Sequence, residues 1–190
     1  MATFRRFRPD DLNKFSKCNL DPLTETYDIS FYLQYHATWP AMFQVCEDTD
    51  GNIIGYIMGK VEESPAMYRD TPNYLPWHGH ITALTVAPSA RRLGIGKLLT
   101  DQLERAADDS DAWFMDLFVR KSNTRAIAFY EKLGYSIYRT VEAYYGDHST
   151  DPTASSEDAY DMRKSMKRDV NKEHVRENGE TYIVQGEDVW

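Results

Sequence analysis

The sequence predicts an α/β (α+β) domain built on a mixed, mainly antiparallel sheet flanked by helices. Two features of the hydrophobic pattern carry this prediction: helical and strand periods alternate through the middle of the chain, while hairpin-like strand pairs stand at either end. Composition agrees, since 42% hydrophobic residues in a chain of 190 are enough for one buried core. One domain over residues 1–167 is expected, with a charged tail over 168–190.

The stretch "TFRRF" alternates like a short first strand, and "PDDLNKFSKCNL" follows it with a proline and acids where a helix would start. A loop leads to "ISFYLQYH", which has helical spacing and stops before Trp39 and Pro40. Next, "MFQVCE" and "NIIGYIMGKVE" read as an antiparallel hairpin whose Asp50 and Gly51 suit the turn. Three prolines make Ser64 to Trp77 a long loop. "HGHITALTV" is then a strand, "LGIGKLLTDQLERAAD" an amphipathic helix and "AWFMDLFV" another strand. Asn123 is placed to cap a helix through "TRAIAFYEKL", which Gly134 ends in a left-handed cap. "YSIYRTVEAYY" and "DAYDMRKSM" are the last strands, separated by the turn-rich "GDHSTDPTASSED". After Lys167 few core-type residues remain, so that segment reads as a tail or docking piece.

The formal net charge of -8 opposes nonspecific attraction to nucleic acid or an acidic membrane surface, so any polyanionic ligand must be held by local chemistry. No apolar run is long enough to span a bilayer and the start "MATFRRFRPDD" lacks a secretory apolar region, so a cytoplasmic location is expected. Cys18 and Cys46 have neither metal spacing nor a disulfide framework and read as buried thiols. His78 and His80 would share one strand face, but no third metal ligand is placed locally, and no metal is expected.

The most informative stretch is "RRLGIGK", residues 91–97, where a strand hands over to a helix. The first amides of a helix lack intrahelical partners, and the helix dipole favours anions there. Glycines at 94 and 96 remove side chains that would keep a diphosphate from the backbone, and Arg91, Arg92 and Lys97 supply charge. The spacing is neither GxxxxGK[ST] nor GxGxxG. Taken alone, such a helix start also serves as a plain turn.

R-x-x-G-x-G after a strand ending in Val86, Ala87 and Pro88 resembles the acetyl-CoA pyrophosphate loop of the GNAT N-acetyltransferase superfamily. "SNTRAIAFYEKLGYSIY" resembles the second signature of that superfamily. Further stretches, "NLDPLTETYDISFYLQYHATWP", "WHGHITALTVAP", "DLFVRKSN", "KLGYSIYRTVEAYY" and "DAYDMRKSM", look like the catalytic subunits of NatB-type protein N-terminal acetyltransferases. The likeness runs from about Thr3 to Lys167. It implies the GNAT acyl-CoA fold, with acetyl transfer from acetyl-CoA to the α-amine of nascent proteins beginning Met-Asp, Met-Glu, Met-Asn or Met-Gln. It also implies a helical-repeat auxiliary subunit and association with ribosomes through it. Exposed aromatics of "ISFYLQYHATWP" are expected to take part in docking that subunit. A related enzyme acting on lysine or small amines, and a CoA-binding scaffold without turnover, are the alternatives.

Acetyl transfer to an amine needs a neutral nucleophile, a held carbonyl and a proton for the leaving thiolate. A terminal amine has an unperturbed pKa of about 7.7 to 8.0, so only a mild base is required. His80, on the strand entering the turn, suits that base directly or through water, although strand histidines are commonly structural. Thr82 shares its face. The superfamily resemblance implies a bulge that frees the Val86 amide to bond the thioester carbonyl, and a cradle made by Arg91, Arg92, Gly94, Ile95, Gly96 and Lys97. It also implies Asn123 beside the pantetheine and Tyr130 near the sulfur; seven residues apart, these two can share a helix side. In "NLDPLTETY" the likeness gives Glu25 the substrate amine or backbone and Tyr27 the first side chain. Tyr144 and Tyr145 would wall a peptide slot, although neighbouring strand residues normally face opposite ways. His80, Thr82 and a tyrosine hydroxyl would serve an acidic second residue.

Overall fold

The computed structural model describes residues 2–21, 24–71, 74–146, 156–186 and 189. The chain forms two compact units, Met1–Val61 with His80–Ser110, and Glu62–Gly79 with Asp111–Trp190.

In the first unit β1 (Thr3–Arg6), β2 (Phe43–Glu47), β3 (Ile53–Glu62) and β4 (His78–Val86) stand in sequence order across the sheet, the ends of β3 and β4 crossing the unit boundary. β1 and β2 run antiparallel, as do β2 and β3, with an irregularity between Cys46 and Glu47. The expected hairpin turn is present: the Asp48 carboxylate accepts the amides of Asp50 and Asn52 at 3.0 and 2.8 Å.

The helix expected over "PDDLNKFSKCNL" divides into a 3-10 turn (Pro9–Lys14) and a single α turn, α1 (Ser16–Asn19). Asp11 explains the division. Its carboxylate takes the Arg8 amide at 2.8 Å and both terminal nitrogens of Arg5 at 2.7 and 2.8 Å, which holds the segment tight against β1. Phe15 then enters the core, stacked 4.5 Å from Tyr56, while Phe7 stacks 3.9 Å from Phe43.

Helix α2 (Ile29–Thr38) buries Tyr32 and Tyr35 against this aromatic cluster and leaves Phe31 and Trp39 half-buried. The expectation of outward aromatics is therefore corrected: the exposed large apolar residues of α2 are the aliphatic Ile29 and Leu33. Aromatics around the whole helix had suggested a partner face, but their rings turn inward onto one another, Tyr27 on Phe31 and Tyr35 on Trp39.

Helix α3 (Ile95–Asp109) buries Ile95, Leu99, Leu103 and Ala107, a four-residue repeat along one face. Its close seat on β3 depends on Gly59. A Cβ there would lie 2.6 Å from the His80 carbonyl oxygen and 2.9 Å from Leu103. Cys18 and Cys46 are buried free thiols.

In the second unit the order is β5 (Phe114–Arg120), β7 (Glu157–Ser165), β6 (Ser136–Tyr145), β8 (Ile183–Gln185). β7 is antiparallel to both β5 and β6, and β8 joins β6 in parallel. Helix α4 (Thr124–Lys132) begins as expected, with the Asn123 side chain accepting the Ala126 amide at 3.2 Å, and Gly134 past its end has φ 92°. The loop from Ser64 contains a 3-10 turn (Ala66–Tyr68) and is closed by paired 2.9 Å bonds between Ser64 and Leu75. The centre of "GDHSTDPTASSED", residues 147–155, lies outside the described residues.

The segment after Lys167, expected as a tail or docking piece, is folded into this unit over its described length. Asp169 is buried and accepts the Ser165 hydroxyl and the amides of Glu173 and His174 at 2.8, 2.8 and 3.2 Å. The His174 ring lies against Trp113 and Phe114, and the Arg176 guanidinium covers Tyr138 and Tyr182 at 3.8 and 4.3 Å. These anchors are polar, cationic and aromatic, so a search for aliphatic periodicity passes over them.

Candidate active site

β4 leads into the glycine turn through a short 3-10 turn (Pro88–Ala90). Arg92 and Gly94 both adopt left-handed backbone, φ 69° and 80°, which reverses the chain so that α3 starts at Ile95. Gly94 is the N-cap. No side chain caps the first turn of α3, no acid lies in it, and a Cβ built on Gly94 would meet nothing within 4 Å. The result is an open helix start whose leading amides are available to an anion.

The cations expected to line this turn are already engaged in part. Arg91 donates from Nε to the Val86 carbonyl at 3.1 Å and forms an ion pair with Asp21. Lys97 pairs with Asp101 one turn along α3, at 2.5 Å. Arg92 is exposed, Ile95 is buried beneath the turn and Gly96 is half-buried.

The segment before α2 and the helix itself are tied to β4 by hydroxyls. Thr24 Oγ1 lies 2.7 Å from Thr85 Oγ1, the Tyr27 phenol donates to the Thr82 carbonyl at 3.4 Å, and Tyr35 Oη lies 2.9 Å from Thr82 Oγ1. Glu25 is exposed between Thr24 and Tyr27, and Tyr27 presents a ring stacked 4.6 Å from Phe31. Farther along β4, His80 is half-buried. His78 is structural: its ring is buried, stacked 4.8 Å from Phe114, with Nδ1 2.8 Å from the Pro76 carbonyl.

In the second unit Tyr130 is buried on α4, edge-on to Phe129 and Tyr135. Burial, helped by the nearby Tyr145, pushes its phenol well above the ordinary tyrosine range. Tyr144 and Tyr145 do not take opposite faces. The Tyr144 ring stacks 4.5 Å from Phe118, and the Tyr145 hydroxyl donates to the Phe118 carbonyl at 3.0 Å. The reason is local: Ala143 has φ 53° and the β6–β7 register slips between Val141 and Tyr145, which cancels the alternation. The Arg120 guanidinium lies 4.1 Å over the Tyr145 ring.

Among the described residues no group of three His, Cys, Asp or Glu is placed to hold a metal ion, and no helix is long and apolar enough to cross a membrane.

Residues 10–135 match the Acetyltransferase (GNAT) family. The chain belongs to the GNAT family. It is 47% identical over 191 residues to the N-terminal acetyltransferase B complex catalytic subunit naa20 of Schizosaccharomyces pombe, covering 100% of this chain and 99% of that protein. It is 48% identical over 176 residues to the N-terminal acetyltransferase B complex catalytic subunit NAA20 of Arabidopsis thaliana, covering 92% and 91%. Among solved structures, Chaetomium thermophilum Naa20 in complex with a bisubstrate analogue superimposes with a TM-score of 0.93 at 69% identity over 99% of each chain. The NatB acetyltransferase complex bound to a bisubstrate inhibitor matches with a TM-score of 0.81 at 38% identity, again over 99% of each chain.

The GNAT fold accounts for the α/β architecture and the mixed, mainly antiparallel pairing. Sequence reasoning missed Asp21, Thr24, Tyr35 and Thr85, which hold the loop and the turn from behind. Their partners are 47 to 70 residues away in the chain, so no local spacing announces them.

Proposed function

We propose that this chain is the catalytic subunit of a NatB-type N-terminal acetyltransferase. It transfers acetyl from acetyl-CoA to the α-amino group of nascent proteins beginning Met-Asp, Met-Glu, Met-Asn or Met-Gln. It works in the cytoplasm, associated with ribosomes through a helical-repeat auxiliary subunit. The observation that carries this reading is the end-to-end likeness to a Naa20 structure holding a bisubstrate analogue. Its net charge of -8 supports a protein that contacts neither nucleic acid nor membrane directly.

The residues present fit the cofactor. The uncapped start of α3, with open space at Gly94 and no acid in the first turn, suits a diphosphate. Acetyl-CoA supplies the activated acetyl group. Arg91, Arg92 and Lys97 add positive charge around the amides of Ile95, Gly96 and Lys97. The Val86 amide holds the thioester carbonyl, and Asn123 serves the pantetheine.

Glu25 receives the incoming amine, Tyr27 packs on the methionine, and Tyr144 and Tyr145 contribute a further wall. His80 takes the amine proton, directly or through water. Tyr130 supplies the proton for the departing thiolate, and burial keeps its phenol in the protonated form across the neutral range. Thr82 and His80 offer donors to an acidic second residue without a competing carboxylate.

The test is steady-state acetylation by the full chain with its auxiliary subunit. Met-Asp, Met-Ala and Ser-Ala peptides are compared with a terminally blocked peptide carrying free lysine. Preference for Met-Asp supports the reading; turnover only on the blocked lysine peptide, or on none, overturns it.

A further inference from the structure

Just ahead of Glu25, the chain is fastened to the end of β4 and the glycine turn at two points within the first unit. Asp21 is buried and forms an ion pair with Arg91, and Thr24 Oγ1 lies 2.7 Å from Thr85 Oγ1. The Thr24 amide donates to the Asp21 carbonyl at 2.9 Å, so a main-chain bond links the two fastenings. Their partners are linked as well: Thr85 precedes Val86, and the Val86 carbonyl accepts Arg91 Nε at 3.1 Å.

Arg91 does not serve a diphosphate by swinging away from these partners. The Asp21 side chain is 6% exposed and that of Arg91 39%, so a departing guanidinium would strip a cation from a buried carboxylate. The planar fork of arginine meets both demands at once: Nε is on the Val86 carbonyl and Nη2 on Asp21. Arg91 thereby ties the segment leading to Glu25 to the residue whose amide is assigned to the thioester carbonyl.

We infer, on the acetyltransferase reading above, that Asp21 is a positioning residue. Through Arg91 it fixes the register between the incoming amine, received at Glu25, and the acyl carbonyl held at Val86. Transfer between two held groups falls steeply with misplacement, by about a hundredfold for 1 Å, whereas each substrate binding alone is insensitive to that register. Asp21 therefore governs how the two substrates seat together and leaves acetyl-CoA by itself almost unaffected. Removing its charge loosens the hold on Arg91 but also takes an anion away from the diphosphate, and these two effects on the cofactor oppose each other.

Calorimetry on the full chain with its auxiliary subunit compares two ligands: acetyl-CoA, and CoA joined from its sulfur through an acetyl bridge to the α-amine of a Met-Asp peptide. Joining raises affinity only where both parts seat at once, and the wild-type chain is expected to bind the conjugate at least about a hundredfold more tightly than acetyl-CoA. Asp21→Asn keeps the size of the side chain and removes its charge. It is expected to hold acetyl-CoA within about threefold of its starting affinity while the advantage of the conjugate falls about tenfold or more. In steady state, kcat should fall with the KM for acetyl-CoA little changed. Arg91→Lys reaches the same pair from its exposed end, since one ammonium cannot reproduce the fork. A similar loss of advantage is expected there, and the double variant should lose no more than the larger single loss. A purely structural role for Asp21 would weaken both ligands together. Equal weakening of the two, an advantage unchanged in either folded variant, or additive losses in the double variant overturns the inference. A wild-type chain that gains nothing from the joined peptide overturns the acetyltransferase reading along with it.

Discussion

Tyr35 and Thr82 meet through their hydroxyls at 2.9 Å, joining α2 to β4, the strand that leads into the glycine turn. The Thr82 carbonyl also accepts the Tyr27 phenol, so both the main chain and the side chain of one β4 residue are held by tyrosines. A threonine so held presents its remaining hydroxyl capacity in a fixed direction. Tyr35→Phe is expected to cost about 1 kcal/mol of stability by urea unfolding. It should also lower kcat/KM for Met-Asp several-fold while leaving the KM for acetyl-CoA near its starting value. An equal loss on Met-Ala would mean that Thr82 does not read the second residue.

Gly94 combines φ 80° with open space where a Cβ would sit. Gly94→Val therefore meets no clash in the folded chain but strains the backbone by about 1 to 2 kcal/mol and fills the approach to the α3 amides. The expected outcome is a modest fall in unfolding temperature and a rise of about tenfold or more in the dissociation constant of acetyl-CoA, read by calorimetry.

Tyr130→Phe removes the proposed acid while keeping the buried ring. A fall in kcat of about 10²- to 10⁴-fold is expected, with peptide KM little changed. Because the phenol pKa lies above its ordinary value, Tyr130 stays protonated through pH 9, and no alkaline loss in the wild-type profile should come from it. Activity should instead rise with pH through about 7.7 to 8.0 as the substrate amine becomes neutral.

Asp169 anchors the segment that leads to β8. Burial opposes its ionisation, but the Ser165 hydroxyl and the amides of Glu173 and His174 outweigh that and hold its carboxyl below the usual range. A group depressed on folding contributes stability above its unfolded pKa of about 3.9 and loses it as pH falls through the lower folded value. Asp169→Ala is expected to cost about 1 to 3 kcal/mol at pH 7. It should also reduce the acid dependence of unfolding below about pH 4, and increase amide exchange around β8.

The parts of the fold that could be read in advance were those with short-range causes. Asn123 caps α4 through an amide three residues on, Gly134 ends it, and the hydrophobic repeat of α3 names the face that is buried. The glycine turn could be found because a strand, two glycines and a helix follow one another within a dozen residues. The split of the first helix could not, since it follows from Asp11 meeting Arg5 on β1. Nor could the shared side of Tyr144 and Tyr145, which depends on one left-handed alanine, Ala143, and the register slip that goes with it.

By itself the sequence determined the order of helices and strands, the open helix start after Arg91 and Arg92, and the resemblance that names the chemistry. These are written in spacings of two to seven residues, where backbone geometry alone decides which side chains share a face. Only the tertiary structure decided that Arg91 leans on Asp21, that Tyr35 holds Thr82, and that the last charged stretch packs as a strand beside β6. Each joins residues at least 40 apart, and such pairs form only when a common core brings their elements together.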